Sequence, residues 1–461
     1  MNAVRLRTLV SAVSLTAMLP AVPALAQLPA TIAIQHARIV PVSAAVIESG
    51  TIVISGGLIR AVGPRVEVPA EAVVLDGTGL TVYPGLIDAM TDVGLSGGVR
   101  PAGASSGGGQ ASVTTRPARP ARGPQDRPAS TPWVQAADEF RPDTRVLETW
   151  RQGGFTTVVS TPSVGILPGQ AAVVNLSGAD HGEAVVRSSV ALPVNLRAPG
   201  GFGSFPGSLM GVVAYVRQVF SDTRHYGELA RHYEASPRGR TRPEYDRTVQ
   251  ALHEALTAKM PVLLPAVTVP EVDRMLRLGE ELDVPPVLYG VHDAAAAAPR
   301  LAQAKVPVLV SLKWPERSKD ADPDARESLR VLELRERAPA VPAALAAQKV
   351  TFAFYSDGLA TPKDLMARVR TALGAGLSHD AAVRAFTLDA ARIYGVADRL
   401  GSLETGKIAN LVVTSGELFD EKTSVRHVFI DGERFDIPDT PVTSRPNGAG
   451  PTATPRREGA Q

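Results

Sequence analysis

The chain has 461 residues, enough for one large barrel domain with a smaller module or for two to three domains of ordinary size. Hydrophobic residues make up 44% and charged residues 20%, which is typical of a soluble globular protein and excludes a fibre or a wholly disordered chain. The formal net charge of +2 gives no electrostatic reason to expect nucleic acid as a partner.

The first 26 residues have the pattern of a secretory signal peptide. Arg5 and Arg7 precede an apolar run from Thr8 to Leu19, and a small-x-small cleavage site ends at Ala26. A membrane anchor is the alternative, but the run is too short to span a bilayer and Pro20 follows it. We therefore expect a cleaved protein that is periplasmic or secreted and does not contact the membrane. The chain contains no cysteine, so we expect no disulfide.

Short runs that alternate apolar and polar residues follow the signal peptide. They read "TIAIQHARIVP", "GTIVISGGLIRAVG" and "AVVLDGTGLTVYPG", and Gly56-Gly57 has the composition of a hairpin turn. Two similar runs, "ANLVVTSG" and "VRHVFIDGERF", lie near the other end of the chain. Strands at both ends of a long middle segment predict one small β-sandwich domain, composed of residues 27–83 and 401–437.

The middle of the chain, residues 84–400, alternates apolar runs with amphipathic helical stretches. The runs are "GLIDAMT", "FTTVVSTP", "LPVNLRA", "MPVLLPAV", "PPVLYGV", "VPVLVSL" and "VTFAFYSDG". This alternation favours an α/β fold with parallel strands buried on both faces, and seven or eight such units favour a closed (β/α)8 TIM-like barrel. An open doubly wound sheet is the alternative, although no Gly-rich phosphate loop follows a strand.

Two segments lack apolar periodicity. Residues 96–130 are rich in Gly, Pro, Ser and Arg and directly follow the first barrel run, on the face where barrel active sites are built. The tail, residues 438–461, has a similar bias. We expect both segments to be disordered; an arm for an anionic partner is the alternative interpretation.

Several motifs carry a family resemblance. "VYPGLID", "QGGFTTVV", "LPGQAAVVNLSG" and above all "GLSHDAAVRAFTLDAARIYGVADRLGSLETGKIANLVV" resemble the amidohydrolase superfamily, in particular its secreted imidazolonepropionase-like branch. The resemblance implies a (β/α)8 barrel with a composite β-sandwich. It also implies a hydrolase that acts on carbon–nitrogen (non-peptide) bonds and uses one or two divalent metal ions of the zinc type. Two positions depart from the family pattern: Asp389, where Asn is usual, and Asn410, where Asp is usual.

The last of these motifs also predicts its own local structure. Ser378 has the chemistry of an N-cap, Asp380 lies in the first turn, and apolar residues recur at helical spacing until Gly395. We therefore predict helical structure that ends at Gly395, and the family resemblance implies a helix pair in this motif.

The metal ligands that the resemblance implies are mostly replaced. An H-x-H pair is expected where Met90 and Asp92 stand, and a histidine is expected near Pro265. Met90 is a poor ligand for hard divalent ions, and Pro265 has no side-chain donor atom. Asp92 offers a carboxylate oxygen to a metal.

Two further positions stand at the ends of later strands. Gly290 takes the place of the second histidine, and a slipped register puts His292 at that position instead. Asp357, in "FYSDG", matches the aspartate that binds the metal and acts as general base in the family. The candidate ligands are thus Asp92, His292 and Asp357, with Asp357 as the candidate catalytic residue.

A catalytic zinc takes about three protein ligands and a water, so the residues predict a hydrolase scaffold from which most metal-binding groups are missing. One hypothesis is a weak or inactive homologue, a pseudoenzyme that binds a small ligand or pairs with an intact amidohydrolase or with a second copy of itself. The alternative is a working hydrolase of small amide, cyclic-imide or peptide-like substrates with an oxygen-rich site of Asp92, His292 and Asp357.

Overall fold

The computed structural model describes residues 31–95, 127–178, 182–197, 205–317, 320–322, 324, 326–359 and 361–437. The predicted signal peptide, residues 96–126 of the predicted insertion and the predicted tail lie outside the described residues. Residues 127–130, at the end of that insertion, are described. Arg127 there forms ion pairs with Asp222 at 2.8 Å and with Asp246 at 3.2 Å, which anchors this end of the insertion to the barrel.

The described strands form two sheets of eight strands each. Their bounds are β1 Ile32–Ile39, β2 Ile47–Ser55, β3 Leu58–Gly63, β4 Val73–Asp76, β5 Thr81–Pro84, β6 Leu86–Thr91, β7 Phe155–Ser160, β8 Ala171–Asn175, β9 Val185–Pro193, β10 Val262–Pro265, β11 Pro286–Tyr289, β12 Val308–Ser311, β13 Phe352–Tyr355, β14 Leu411–Thr414, β15 Val425–Ile430 and β16 Glu433–Asp436.

The first sheet combines both ends of the chain, as predicted. Its strand order is β16-β15-β14-β5-β1-β2-β3, and β4 pairs with β1. The predicted hairpin turn joins β2 to β3, where Gly56 (φ +61°) and Gly57 (φ +76°) adopt the left-handed conformation that such a turn requires. One strand from each end meets where β5 pairs antiparallel with β14, so neither end of the chain completes the sheet alone.

The second sheet runs β6-β7-β8-β9-β10-β11-β12-β13. Six of the seven predicted apolar runs each contain one of its strands, and the run "LPVNLRA" overlaps β9 only at Leu192 and Pro193. Neighbouring strands are parallel except at β8, which is antiparallel to both β7 and β9. One set of alternating side chains, including Ile87, Leu263, Leu309 and Ala353, forms an inner apolar cluster. The other set packs in a second cluster with the helices. Burial on both faces explains why these strands read as unbroken apolar runs.

The end strands of this sheet approach each other. The backbone N–H of Ser356, which follows β13, donates to Asp88 Oδ1 on β6 at 3.0 Å. Among the described residues β6 and β13 form no backbone ladder, so side-chain contacts join them. The predicted class, a (β/α)8 type of barrel with a composite β-sandwich domain, is confirmed, but the ring is not closed by strand pairing in the part of the chain that is described.

Helices cover the outside of the barrel. Thr268 and Glu271 form a capping box that begins α5, and Thr361 caps α9 through Asp364 N–H. The helix bounds are α1 Ala136–Glu139, α2 Thr144–Gln152, α3 Leu209–Ala235, α4 Arg247–Thr257, α5 Val269–Glu281, α6 Ala298–Ala304, α7 Leu329–Arg337, α8 Val341–Ala347, α9 Pro362–Gly374, α10 His379–Phe386 and α11 Leu388–Ile393. None of the helices in the described ranges has the length and apolar composition needed to cross a membrane.

The stretch that begins at Ser378 forms the helix pair that the family resemblance implies. Ser378 caps it as expected, since its side chain accepts a hydrogen bond from Ala381 N–H. The pair consists of α10 and α11, which divide at Thr387 (φ −128°, ψ −96°). The Thr387 hydroxyl donates to the Val383 carbonyl at 2.6 Å, which provides a local side-chain alternative to continued helix.

Candidate functional site

The carboxyl ends of β10, β11, β12 and β13 lie side by side because these strands are parallel neighbours. This is the end at which barrels of this type build their active sites. Asp357 follows β13 and has φ +48°, an uncommon backbone conformation for a residue with a side chain. Strained backbone of this kind occurs preferentially at functional sites.

Asp357 is held by a serine on the neighbouring strand. Ser311 Oγ donates to Asp357 Oδ2 at 2.8 Å. Burial raises the pKa of Asp357, while the Ser311 hydroxyl and the positive charges of Lys313 and Arg197 lower it in part. The carboxylate therefore carries a desolvation penalty that one hydroxyl and two cations offset incompletely.

The same serine contacts His292. The His292 Nε2 atom lies 3.2 Å from the Ser311 carbonyl oxygen, and its ring lies 5.8 Å from that of Trp314. Because a carbonyl only accepts, Nε2 carries the proton and Nδ1 is the acceptor nitrogen. Burial lowers the pKa of His292, which favours the neutral ring. His292 and Asp357 thus both contact Ser311, which lies between them.

The end of β6 contributes differently. Met90 is partly buried and packs against the inner apolar cluster of the barrel, as a packing residue does. Asp92 is also partly buried. Neither position supplies the imidazole that the family resemblance places there.

Pro265 and Gly290 occupy the other two positions where the family resemblance places histidines. Pro265 ends β10, pairs with Tyr289 and has no side-chain donor. Gly290 has φ +86°, a conformation that a residue with a Cβ atom adopts only with strain. A histidine at position 290 in this backbone would be strained even though its Cβ atom would lie 3.7 Å from its nearest neighbours in space, Tyr355 and Val267.

These residues do not fit the divalent metal that the resemblance implies. Across the described ranges, no three histidine or carboxylate side chains form a group that could hold a metal ion. Asp92, His292 and Asp357 therefore do not assemble into a three-ligand set in this structure. At the remaining positions a thioether, a proline ring and a glycine offer no hard donor. The assignment of these three residues to a metal stays a prediction.

Sequence reasoning missed Asp88 on β6, which is fully buried. Its Oδ1 accepts from Ser356 N–H, whereas its Oδ2 and the nearby Ser356 hydroxyl find no hydrogen-bond partner among the described residues. Burial raises the pKa of Asp88 to about 7. A lone charged residue within the apolar run "GLIDAM" was the available signal.

Sequence reasoning also missed Ser311, whose signal was weaker. It is a buried polar residue at the end of the run "VPVLVSL", and nothing in that run indicates that its hydroxyl faces Asp357. Its partner is 46 positions further along the chain.

The comparisons with known proteins agree with this fold. A sequence model of the Amidohydrolase family matches residues 288–435. An amidohydrolase from Thermotoga maritima MSB8 is 26% identical, with a TM-score of 0.72, over 88% of this chain and 100% of that chain. A prolidase complexed with N-methylphosphonate-L-proline (18% identity, TM-score 0.51) and phenylurea hydrolase B (18%, 0.52) are similar in fold; the matches cover 88% and 90% of this chain and all of theirs. No curated protein matches the sequence.

Proposed function

We propose that this chain is an exported member of the amidohydrolase superfamily that binds a small amide, imide or peptide-like ligand without metal-dependent hydrolysis. The binding site is at the carboxyl ends of the barrel strands, around Asp357 and His292. The fold provides the site, but its chemistry differs from that of a metal-dependent hydrolase, because function resides in the site rather than in the fold.

One observation carries the proposal. Asp357 keeps its place at the end of the last barrel strand, while Met90, Pro265 and Gly290 occupy positions where ligands are expected. A catalytic metal lowers the pKa of a bound water and polarises a carbonyl, and about three protein ligands are needed to hold it. With these donors replaced, the remaining groups support binding better than metal-assisted hydrolysis.

The remaining groups suit an amide-like ligand. The Asp357 carboxylate accepts hydrogen bonds from ligand N–H groups, and the neutral His292 ring offers Nδ1 as an acceptor. The positive charges of Lys313 and Arg197 act on Asp357 and provide complementary charge for ligand oxygens. A small number of well-placed polar groups that fix a ligand's orientation is typical of small-molecule sites.

Metal content and ligand binding test the proposal together. Mature protein, residues 27–461, is purified without chelator and analysed by plasma mass spectrometry beside Asp357→Ala. We expect background metal in both proteins. Amides, cyclic imides and dipeptides are then screened by ligand-observed NMR. We expect binding by the parent, loss of binding in Asp357→Ala and unchanged binding in Asp398→Ala, which removes an exposed carboxylate elsewhere.

Near-stoichiometric zinc, manganese or iron that disappears in Asp357→Ala would overturn the proposal. It would favour the second candidate, a hydrolase with an oxygen-rich site of Asp92, His292 and Asp357. The raised pKa of the buried Asp357 supports that candidate, since a general base works best with a pKa near the operating pH. An amide or imide hydrolysis rate that is unchanged in Asp357→Asn would eliminate it.

Export and assembly form the last part of the proposal. The residues before Gln27 have the pattern of a cleaved signal peptide, so we expect N-terminal sequencing of the periplasmic or secreted protein to begin at Gln27. A protein without its own hydrolytic chemistry acts through its ligand or through a partner. We propose self-association or pairing with an intact amidohydrolase, which light scattering and co-purification from the periplasm test; a free monomer in both experiments would contradict it.

A further inference from the structure

A cavity of about 660 Å³ lies at the amino-terminal ends of β10 to β13, at the opposite end of the barrel from Asp357. Four-residue strands with a rise of about 3.3 Å per residue separate the two ends by about 13 Å. The volume is within the range of small-molecule sites, about 300 to 1,000 Å³. Prolines that precede or begin the strands, including Pro261, Pro286 and Pro307, form part of its wall.

Three cationic side chains line this cavity, and its described lining residues include no acidic side chain. Lys305 ends α6, Lys349 follows α8, and Arg392 lies in α11. Arg392 pairs with Asp389 at 3.1 Å, but Asp389 also pairs with Arg384 at 3.2 Å. Because two guanidinium groups share one carboxylate, the cavity keeps a net positive charge.

The backbone of the wall offers few polar contacts to a ligand. Proline has no N–H group, and the carbonyl groups at the strand entrances are already used within the sheet. Four backbone carbonyl oxygens each accept a hydrogen bond from a backbone N–H group: Pro261 from Leu192, Pro285 from Val262, Pro307 from Leu288 and Thr351 from Val308. The floor is apolar and includes Val287, Leu301 and Ile393. The side chains that can contact an anion in the cavity are therefore the three cations and the Thr351 hydroxyl, and only the cations carry charge.

Helix ends alone do not account for this arrangement. The carboxyl end of a helix attracts cations through its dipole, which explains a lysine after α6 and after α8. Lys305 (φ +54°) and Lys349 (φ +57°) have a left-handed backbone conformation. Lys259, which follows α4, has this conformation too (φ +52°) but does not line the cavity. Arg392 comes from a different helix and completes the positive rim.

We propose that this cavity binds an amphipathic anion, a small molecule with an apolar body and a carboxylate or phosphate group. The apolar body lies against the floor, and the anionic group contacts Lys305, Lys349 and Arg392. This site is separate from the one at Asp357, so the proposal does not depend on the function assigned to that end of the barrel.

A fluorescent probe of the same chemistry, 1-anilinonaphthalene-8-sulfonate, tests the proposal with the mature protein. An exposed ion pair changes affinity by about two- to fivefold. We therefore expect Lys305→Gln/Lys349→Gln to weaken binding by at least about fourfold. Lys259→Gln, the matched control at an equivalent helix end, leaves binding unchanged. Circular dichroism establishes that each variant is folded.

A steric variant separates this cavity from other apolar surfaces. Ala304 lines the cavity from the exposed end of α6, so Ala304→Trp fills the space without disturbing the core. We expect it to abolish saturable probe binding while Asp357→Ala has no effect. Binding that is unchanged in both the double lysine variant and Ala304→Trp, or no binding by the parent, would overturn the proposal.

Competition defines the anionic group. Octanoate and hexyl phosphate are expected to displace the probe, and octan-1-ol, which has a comparable apolar body without charge, to displace it at least about tenfold less well. Displacement by octanoate alone identifies a carboxylate ligand, and displacement by hexyl phosphate alone identifies a phosphate monoester. Equal displacement by octan-1-ol would contradict recognition by the cations.

Discussion

The hydroxyl group of Ser311 donates to the carboxylate of Asp357 across neighbouring barrel strands, with a distance of 2.8 Å between Oγ and Oδ2. Ser311 is fully buried, and its carbonyl oxygen accepts from His292 on the other side. One oxygen of the Asp357 carboxylate thus accepts a hydrogen bond from a protein hydroxyl. Asp357 is the residue that matches the family's metal-binding aspartate and general base.

Replacement of Ser311 by alanine tests this contact. Ser311→Ala removes a hydrogen bond that favours the charged carboxylate, so the pKa of Asp357, already raised by burial, rises further. Carbon-detected NMR titration of side-chain carboxyl groups measures the change, with Asp357→Asn to assign the signal. An unchanged titration of Asp357 in Ser311→Ala would show that the hydroxyl does not act on the carboxylate in solution.

Asp88 predicts a pH-dependent stability. Its pKa is about 7 in the folded state and 3.8 in an ordinary environment, so the folded state binds more protons between these values. The contribution of Asp88 to stability is therefore fully present below about pH 4 and is lost as the pH rises to about 7, by on the order of 4 kcal/mol. Asp88→Asn keeps an oxygen for Ser356 N–H and stays neutral, so we expect it to remove this pH dependence and to raise stability at pH 8.

Urea denaturation of both proteins from pH 4 to pH 8 measures the effect of Asp88. Asp398→Asn, at an exposed position, is the control and should follow the parent. If the free energy of unfolding of the parent and of Asp88→Asn changed with pH in the same way, Asp88 would not hold its proton in the folded state.

The contacts of Asn410 predict that this position favours an amide side chain over a carboxylate. Its Nδ2 atom donates to Asn175 Oδ1 at 2.8 Å and to Thr157 Oγ1 at 3.1 Å, and its Oδ1 accepts from Asp431 N–H at 2.8 Å. Asn410→Asp, the residue expected from the family resemblance, places an acceptor against these oxygen atoms in a buried site.

We expect Asn410→Asp to lower the free energy of unfolding by about 1 to 3 kcal/mol. Asp389→Asn, at the other position that departs from the family pattern, affects only partly exposed ion pairs and should cost less than about 1 kcal/mol. Thermal and urea denaturation of the two variants give the comparison. Equal losses of stability would argue against a special requirement for the amide at position 410.

Gly290 predicts a backbone restriction at the position of the expected second histidine. Its φ of +86° favours glycine, and an added Cβ meets only ordinary contacts at 3.7 Å. Gly290→Ala should therefore cost about 1 to 2 kcal/mol of stability through strain alone. Gly374→Ala, at the end of α9 and in open space, should be neutral or slightly stabilising. Equal stabilities of the two variants would contradict the assigned conformation.

Most of the barrel strands, the composite sheet and the replaced ligand positions are readable from the amino-acid sequence, because hydrophobic periodicity and residue chemistry are local properties of the chain. The contact of Asp88 with Ser356, 268 positions away, and the position of Ser311 between His292 and Asp357 follow from the three-dimensional fold. It also revealed the antiparallel β8, the break at Thr387 and the conformation of Gly290. Such contacts depend on how the sheet curves and which strand ends become neighbours, and no local pattern encodes that geometry.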